Sequence, residues 1–459
     1  MSNLAALLQP DKGQPATPLH LVDKKSFDAW LEKQPERVRQ AVKAQGFEGK
    51  AGQLAVLPGA GSGEWSAVLG EEPGVWGLAK AAEQLPEGTY RVAGRGPGPA
   101  ALGWLLGQYR FDRYKKEPSK KGPRVILTDE PARIAETLLL AESTALVRDY
   151  VNIPAQDFGP QELESAVSDL AKTHSAALST TSGAALEAEY PMVAAVGRAA
   201  APDRAPRMIE LEWGDQRHPR LAIVGKGVVF DSGGLNIKPS AGMRLMKKDM
   251  GGAAHALALA RIVMKSKLPV RLHLLIPAVE NAISGNAYRP GDVLKSRKGL
   301  TVEIGNTDAE GRLILGDALT RAGENGPELI LDFATLTGAA RVALGADLPA
   351  LFSNDDALAQ SLLDAGTRVS DPLWRMPLWK QYEEMLSSDI ADIGNAADGP
   401  MAGAVTAALF LQKFVPDGVP WAHLDTFAWR AAAKPGRPKG GDALGLRAAW
   451  QMLRARYSD

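Results

Sequence analysis

The stretch Asn306–Leu319, NTDAEGRLILGDAL, sets two carboxylates, Asp308 and Glu310, two residues apart and follows them with Arg312. Adjacent carboxylates repel, and burying them is expensive unless a cation neutralises them. In an extended segment residues i and i+2 point to the same side. Asp308, Glu310 and Arg312 are therefore expected to line one edge. The preceding LTVEIGN reads as a strand and the following apolar run as a helix. A strand end opening into a helix is where α/β sheets place their ligands. An isolated D-x-E is more often a solvated acidic turn, and it is these flanks that argue for a buried pair.

A second stretch, GKGVVFDSGGLNIKPSAGMRLMKKDMGGAAHA, supplies Lys226, Asp231, Lys238 and Asp249. It begins on the apolar strand LAIVGKGVVF and ends in a Gly/Ala-rich helix, whose start favours an anion such as Asp249. The residues singled out in the two stretches include four carboxylates and two lysines, expected near strand ends of one sheet. Oxygen-rich donor sets with an occasional nitrogen suit Mn²⁺, Mg²⁺ or Zn²⁺. Four carboxylates exceed the need of one ion and suit a pair ~3.5–4 Å apart. His255, six residues beyond Asp249, reads as structural.

The elements around these residues predict an α/β protein of two domains, as expected for 459 residues. Residues 1–150 mix short strands (GQLAVLPG, WSAVLG, TYRVAG, VILTD) with helical segments. These are SFDAWLEKQPERVRQAVKAQ, an amphipathic helix PALGWLLGQYRFDRYKK, and a connecting helix, EPARIAETLLLAESTALVRDYVN, that stops before Pro154. Residues 151–459 alternate β-rich apolar runs (RLAIVGKGVVF, VRLHLLIPAV, ELILDFATL) with Ala-rich helices (GGAAHALALARIVMK, MAGAVTAALFLQKFV). That alternation predicts a larger catalytic domain around a mostly parallel central sheet.

Composition narrows the chemistry. The chain has no cysteine, which excludes disulfides, thiolate catalysis and Cys-ligated metal. Its formal net charge of zero gives no reason to expect nucleic acid or an anionic membrane as the main partner. The first residues lack the basic-then-apolar pattern of a secretory signal, and no apolar run approaches the ~18 residues of a membrane span, so a cytoplasmic protein is expected. GAGSGE and GRGPGP fail G-x-G-x-x-G at the last position, VGKGVV lacks a P-loop's upstream glycine and Ser/Thr, and no serine sits in G-x-S-x-G.

NTDAEGRL resembles the signature of the M17 leucyl aminopeptidases at every position, and GKGVVFDSGGLNIKP, MKKDMGGAA, RPGDV, DFATLTGA and VRDYVNIPA resemble that family's other blocks. The resemblance covers the second domain almost entirely and continues faintly into the first through LGWLLGQYRFDRYKK. It implies a small N-terminal α/β domain, a larger catalytic domain, a homohexamer, peptide substrates, and two divalent ions per subunit, Mn²⁺ or Zn²⁺. By resemblance, Asp231 and Glu310 contact both ions, Asp308 completes the more exchangeable site, and Lys226 and Asp249 complete the tighter one. Lys238 would stabilise the oxyanion of a tetrahedral intermediate, and Arg312 would hold a bicarbonate that accepts the proton of the attacking water. The block WAHLDTFAW departs from the family pattern, with Phe427 where a small residue is usual. Phe427, Met246 and Thr335 are expected to wall the pocket for the substrate's first side chain. An added DNA-binding role and a two-metal phosphoesterase are the rival functions.

Overall fold

The structure, a computed structural model, describes residues 4–117 and 121–458. The chain divides into two compact units, Met1–Ala145 with Ala431–Lys439, and Leu146–Arg430 with Gly440–Asp459. The division falls inside the helix Ile134–Asn152.

The smaller unit is built on six strands: β1 (Leu8–Pro10), β2 (Thr17–Val22), β3 (Leu54–Pro58), β4 (Trp65–Gly70), β5 (Gly88–Val92) and β6 (Arg124–Thr128). Their order is β1-β6-β5-β2-β4-β3, parallel except for the β3–β4 pair. The segment 26–45 is not one helix. Phe27–Glu32 and Glu36–Ala44 are separated at Pro35, whose ring disfavours helix in the residue before it. The helix predicted from Pro99 to Lys116 is also shorter, running only from Ala101 to Leu106. All six of its residues are buried, so it is a core helix and not an amphipathic one. Gln108 ends it by pairing with the sheet: its Nε2 donates to Arg124 O (2.8 Å) and its Oε1 accepts from Arg124 N (2.9 Å). The loop EPSKKGPR follows, of which residues 118–120 lie outside the described residues.

The larger unit holds a nine-stranded sheet. Its strands in chain order are β7 (Ala177–Ser182), β8 (Arg207–Trp213), β9 (Arg220–Gly225), β10 (Gly227–Asp231) and β11 (Arg271–Asn281). After β12 (Val293–Lys295) and β13 (Thr301–Glu303), which lie elsewhere, come β14 (Leu329–Ala334), β15 (Ala350–Ser353) and β16 (Trp374–Arg375). β17 (Ile393–Gly394) also lies elsewhere; with β18 (Trp421–Asp425) the order in the sheet is β16-β15-β18-β14-β9-β11-β8-β7, and β10 pairs with β11. β18, β14, β9, β11 and β10 run parallel, and the antiparallel pairs are confined to the flanks. The central strands are buried on both faces, and every residue of β14 is buried. This is why they read as continuous apolar runs and not as alternating ones. Truncating one of these side chains, Leu331 for example, is worth ~2–5 kcal/mol.

One element is displaced from its expected place. LTVEIGN does form a strand, β13, but in a separate three-stranded sheet, β12-β13-β17. The acidic segment that follows it reaches the central sheet from outside. Among the described residues, no helix is long and apolar enough to cross a membrane.

Candidate active site

Parallel strands carry their C-terminal ends to one edge, and the chemistry-bearing residues collect there. Lys226 follows β9, Asp231 ends β10, Asn281 ends β11, Thr335 follows β14 and Asp425 ends β18. The registers align them, with Asp231 opposite Asn281 and Ala334 opposite Asp425. Asp249 lies in a 3₁₀ turn, Met246–Met250, just before the helix Gly251–Lys265. Thr335 ties that turn to the sheet, since its Oγ1 is 2.8 Å from Asp249 Oδ1.

Asp308 and Glu310 arrive differently from the expectation. Glu310 opens the helix Glu310–Glu324, and Arg312 lies in its first turn. The two therefore do not share an extended edge with Asp308, and the period of two does not apply to them. What holds the segment is a hydrogen-bonded clasp. Asn281 Nδ2 donates to Asp231 Oδ1 (2.9 Å) and to Thr307 O (3.1 Å), and Tyr288 Oη donates to Thr307 O (2.7 Å). Sequence reasoning did not single out Asn281, Thr307 or Tyr288.

The four carboxylates and two lysines form one cluster. Lys226 Nζ lies 2.7 Å from Asp249 Oδ2 and 2.9 Å from Glu310 Oε1. Lys238 Nζ lies 2.8 Å from Asp231 Oδ2 and 2.6 Å from Asp308 Oδ1. Gly311 makes this possible, because a Cβ there would sit 2.7 Å from Lys226 Nζ. Gly233, at φ 87°, does the same for Asp308, whose Oδ1 would be 2.9 Å from an added Cβ.

Two lysines do not satisfy four acids. Burial, then repulsion from Asp231, pushes the Glu310 carboxyl up to about 8 in spite of Lys226. The same two causes push Asp308 up to about 6. Asp249 goes the other way: burial is its largest single influence and raises it, but Lys226 and Lys248 together outweigh that. Both lysines are held above their ordinary value, the carboxylates outweighing burial. Glu310 Oε2 is buried and has no hydrogen-bond partner. One ligand atom from each of Asp231, Asp308 and Glu310 lies within 4.8 Å of the others. An orphaned buried oxygen among converging carboxylates is the environment a divalent cation fits.

The cluster floors a cavity of ≈ 490 Å³. Of the residues nominated from sequence, Lys226, Asp231, Lys238, Asp249, Asp308 and Glu310 line it, as do Met246, Thr335 and Phe427. Arg312 does not. Its Nη1 donates to Asn395 O (2.6 Å), and its Nε is buried without a partner. Burial draws its guanidinium down to about 10. His255 is a core residue: it is fully buried, its Nδ1 is 2.6 Å from Gly251 O, and its Nε2 is 3.0 Å from Leu444 N. Phe427 is half-buried at the cavity wall, and Ala428 (φ 53°) turns the chain immediately after it. Lys248, Arg341 and Asp425 also line the cavity and were not anticipated. Asp425 is committed to Leu336 N (2.9 Å), Thr337 N (3.1 Å) and Thr337 Oγ1 (2.6 Å).

Fold and site together define a two-unit α/β enzyme with a buried carboxylate–lysine centre at the C-terminal edge of a parallel sheet. The model of the cytosol aminopeptidase family catalytic domain matches residues 145–449, and that of the M17 aminopeptidase N-terminal domain matches residues 17–128. The chain belongs to the cytosol aminopeptidase family, M17, and is an aminopeptidase, a peptide hydrolase. A probable cytosol aminopeptidase of Roseiflexus castenholzii is 42% identical over 77% of this chain and 75% of its own length. The cytosol aminopeptidase of Coxiella burnetii superposes with a TM-score of 0.93 at 45% identity, covering 98% of this chain and 99% of that one. The bottromycin maturation enzyme BotP, solved in complex with Mn, superposes with a TM-score of 0.86 at 34% identity, covering 97% and 100%.

Proposed function

We propose that this aminopeptidase is metal-dependent and uses two divalent cations, Mn²⁺ or Zn²⁺, held by Lys226, Asp231, Asp249, Asp308 and Glu310. The observation that carries the reading is the excess of buried carboxylates over lysines, with Glu310 Oε2 left unpartnered. The Mn complex of BotP lends it further support. When bound, the cations supply an acidified water near neutral pH and Lewis-acid polarisation of the scissile carbonyl.

The chain's own groups do the rest. Lys226 would hold a cation only as a neutral amine, so it would have to give up its proton to solvent to serve as a ligand. Lys238 stays an ammonium and faces the cavity, where its N–H groups stabilise charge that develops on the carbonyl oxygen only in the transition state. Hydrolysis adds the water's oxygen to the carbonyl carbon and delivers its proton to the leaving amine. A bicarbonate, were one bound, would be held by Arg312, whose buried and unpartnered Nε is a donor available to it behind the cavity lining, and it would supply a proton acceptor there. Met246, Thr335 and Phe427 take the first side chain. The family resemblance also supports a cytoplasmic homohexamer, which light scattering would check by its six-chain mass.

The test is exhaustive chelation followed by titration with Mn²⁺ or Zn²⁺, reading metal content and turnover of leucine amide together. Turnover is expected to vanish and to return as two ions bind per chain. Full activity in protein shown to be metal-free overturns the reading, as does hydrolysis of a phosphate ester with none of the amide.

A further inference from the structure

We propose that the pocket for the first side chain is cationic and selects an acidic N-terminal residue, glutamate above all. Lys248 would meet its carboxylate, with Arg341 at the rim. This rests on the aminopeptidase reading of the same cavity and on Met246, Thr335 and Phe427 as its walls.

Lys248 is buried, its side chain only 6% exposed, yet it forms part of the cavity wall. Its Nζ stands 4.9 Å from the centre of the Phe427 ring. The carboxylate oxygen recorded beside it is Asp249 Oδ1 at 3.9 Å, too far for a hydrogen bond. That oxygen already accepts from Thr335 Oγ1, and the other oxygen of Asp249 faces Lys226. Asp425, the next acid of the cavity, is spent on Leu336 and Thr337. A buried ammonium without a hydrogen-bonded anion is an unfavourable arrangement, and a substrate carboxylate relieves it.

Arg341 repeats the pattern at the exposed side. Its guanidinium lies 4.8 Å from the centre of the same Phe427 ring, and it makes no ion pair among the described residues. The aromatic side chain thus carries two cations, on segments far apart in sequence, in one cavity. Its face is attractive to cations and holds them without neutralising them. An anion entering between the walls meets both. A purely apolar first side chain meets neither, and leaves Lys248 desolvated.

The experiment uses full-length enzyme loaded with Mn²⁺ and fluorogenic aminoacyl amides of Glu, Gln and Leu. These carry no terminal carboxylate, so any acidic group read is that of the first side chain. Glu and Gln match in shape, and the Glu/Gln ratio of kcat/KM within one preparation reports charge alone. The ratio is expected to exceed ~10 in the wild type and to fall at least about tenfold in Lys248→Met. Arg341→Gln, an exposed position, is expected to lower it about twofold to fivefold, and less so at high salt, which screens the rim. A wild-type ratio at or below one overturns the proposal, as does a ratio that falls in neither variant. Turnover of the Leu amide in either case leaves the aminopeptidase reading standing. If no amide is turned over, the aminopeptidase reading itself fails.

Discussion

Arg148, Arg430 and Asp442 are buried as deeply as Lys226, Asp249 and Glu310, in the same unit, but their charges close on one another. Asp442 Oδ1 is 3.0 Å from Arg148 Nη2, and Asp442 Oδ2 is 2.9 Å from Arg430 Nη2. Arg430 then reaches Asp347 at 2.7 Å. Two arginines meet two aspartates, and the Asp442 carboxyl is held below its ordinary value because the arginines outweigh its burial. At the centre under the cavity, four acids face two lysines, and Glu310 is pushed the other way. Buried charge that serves the fold is matched by the fold. Buried charge left unmatched is held in place by surrounding structure for something that binds.

The largest stability effect is therefore expected away from the cavity. Asp442→Ala strips both Arg148 and Arg430 of their shared partner, and breaking a buried pair in this way costs ~3–5 kcal/mol. Chemical denaturation would read it as a fall in the midpoint with little change in slope. A loss below about 1 kcal/mol would mean that this network is as dispensable as a surface ion pair.

At the cavity the sign should reverse. Glu310→Gln keeps the shape of the side chain and removes a carboxyl that burial keeps largely protonated at neutral pH in the metal-free fold but that ionises when the chain unfolds. Ridding the fold of that cost is worth ~1–4 kcal/mol at neutral pH, in the stabilising direction, and Lys226 keeps Asp249 as its partner. The melting temperature of the chelated protein should rise while metal uptake and peptide turnover collapse. A variant that is both less stable and inactive would show that Glu310 is held as tightly as Asp442, and the contrast between the two clusters would go.

The two clusters also differ in how far they can be read from the sequence. Lys226, Asp231, Asp308 and Glu310 stand in short blocks dense in Gly and acid, where residue types alone suggest a cation. Their local geometry was less legible. The period-two argument placed Glu310 and Arg312 on a strand edge, whereas both lie in the first turn of a helix. LTVEIGN reads as a strand and is one, but a strand's own residues do not say which partner it pairs with, and β13 pairs with β17 from much later in the chain. The parallel sheet itself was legible, because strands buried on both faces are apolar throughout. Lys248 stood in the quoted block MKKDMGG, yet nothing near it in sequence says that it rests on Phe427. Arg148 stands in the quoted block VRDYVNIPA, yet nothing local there or around Arg430 and Asp442 says that the three meet, since a salt bridge between distant segments leaves no local pattern.

The smallest effect belongs to the open end of the structural network. Asp347 is 43% exposed at its side chain, whereas Arg430 is only 3% exposed. Its 2.7 Å contact with Arg430 looks as good as those made by Asp442. Geometry alone would rank the partners equally, and solvent separates them. Water screens the charge of Asp347 and hydrates it in any alternative rotamer, so the pair gains little beyond what the aspartate has in water. Arg430 keeps Asp442 when Asp347 changes, so no buried cation is left alone. Asp347→Asn is expected to cost about 0.2–1 kcal/mol, and raised salt should shrink the difference from the wild type. Asp347 does not line the cavity, so turnover of leucine amide should stay at the wild-type level. Denaturation midpoints for Asp347→Asn and Asp442→Ala, measured side by side at low and high salt, decide the matter. A cost for Asp347→Asn near that of Asp442→Ala would mean that the network extends to the surface as one unit, and that exposure does not set the boundary between charge that holds the fold and charge that does not.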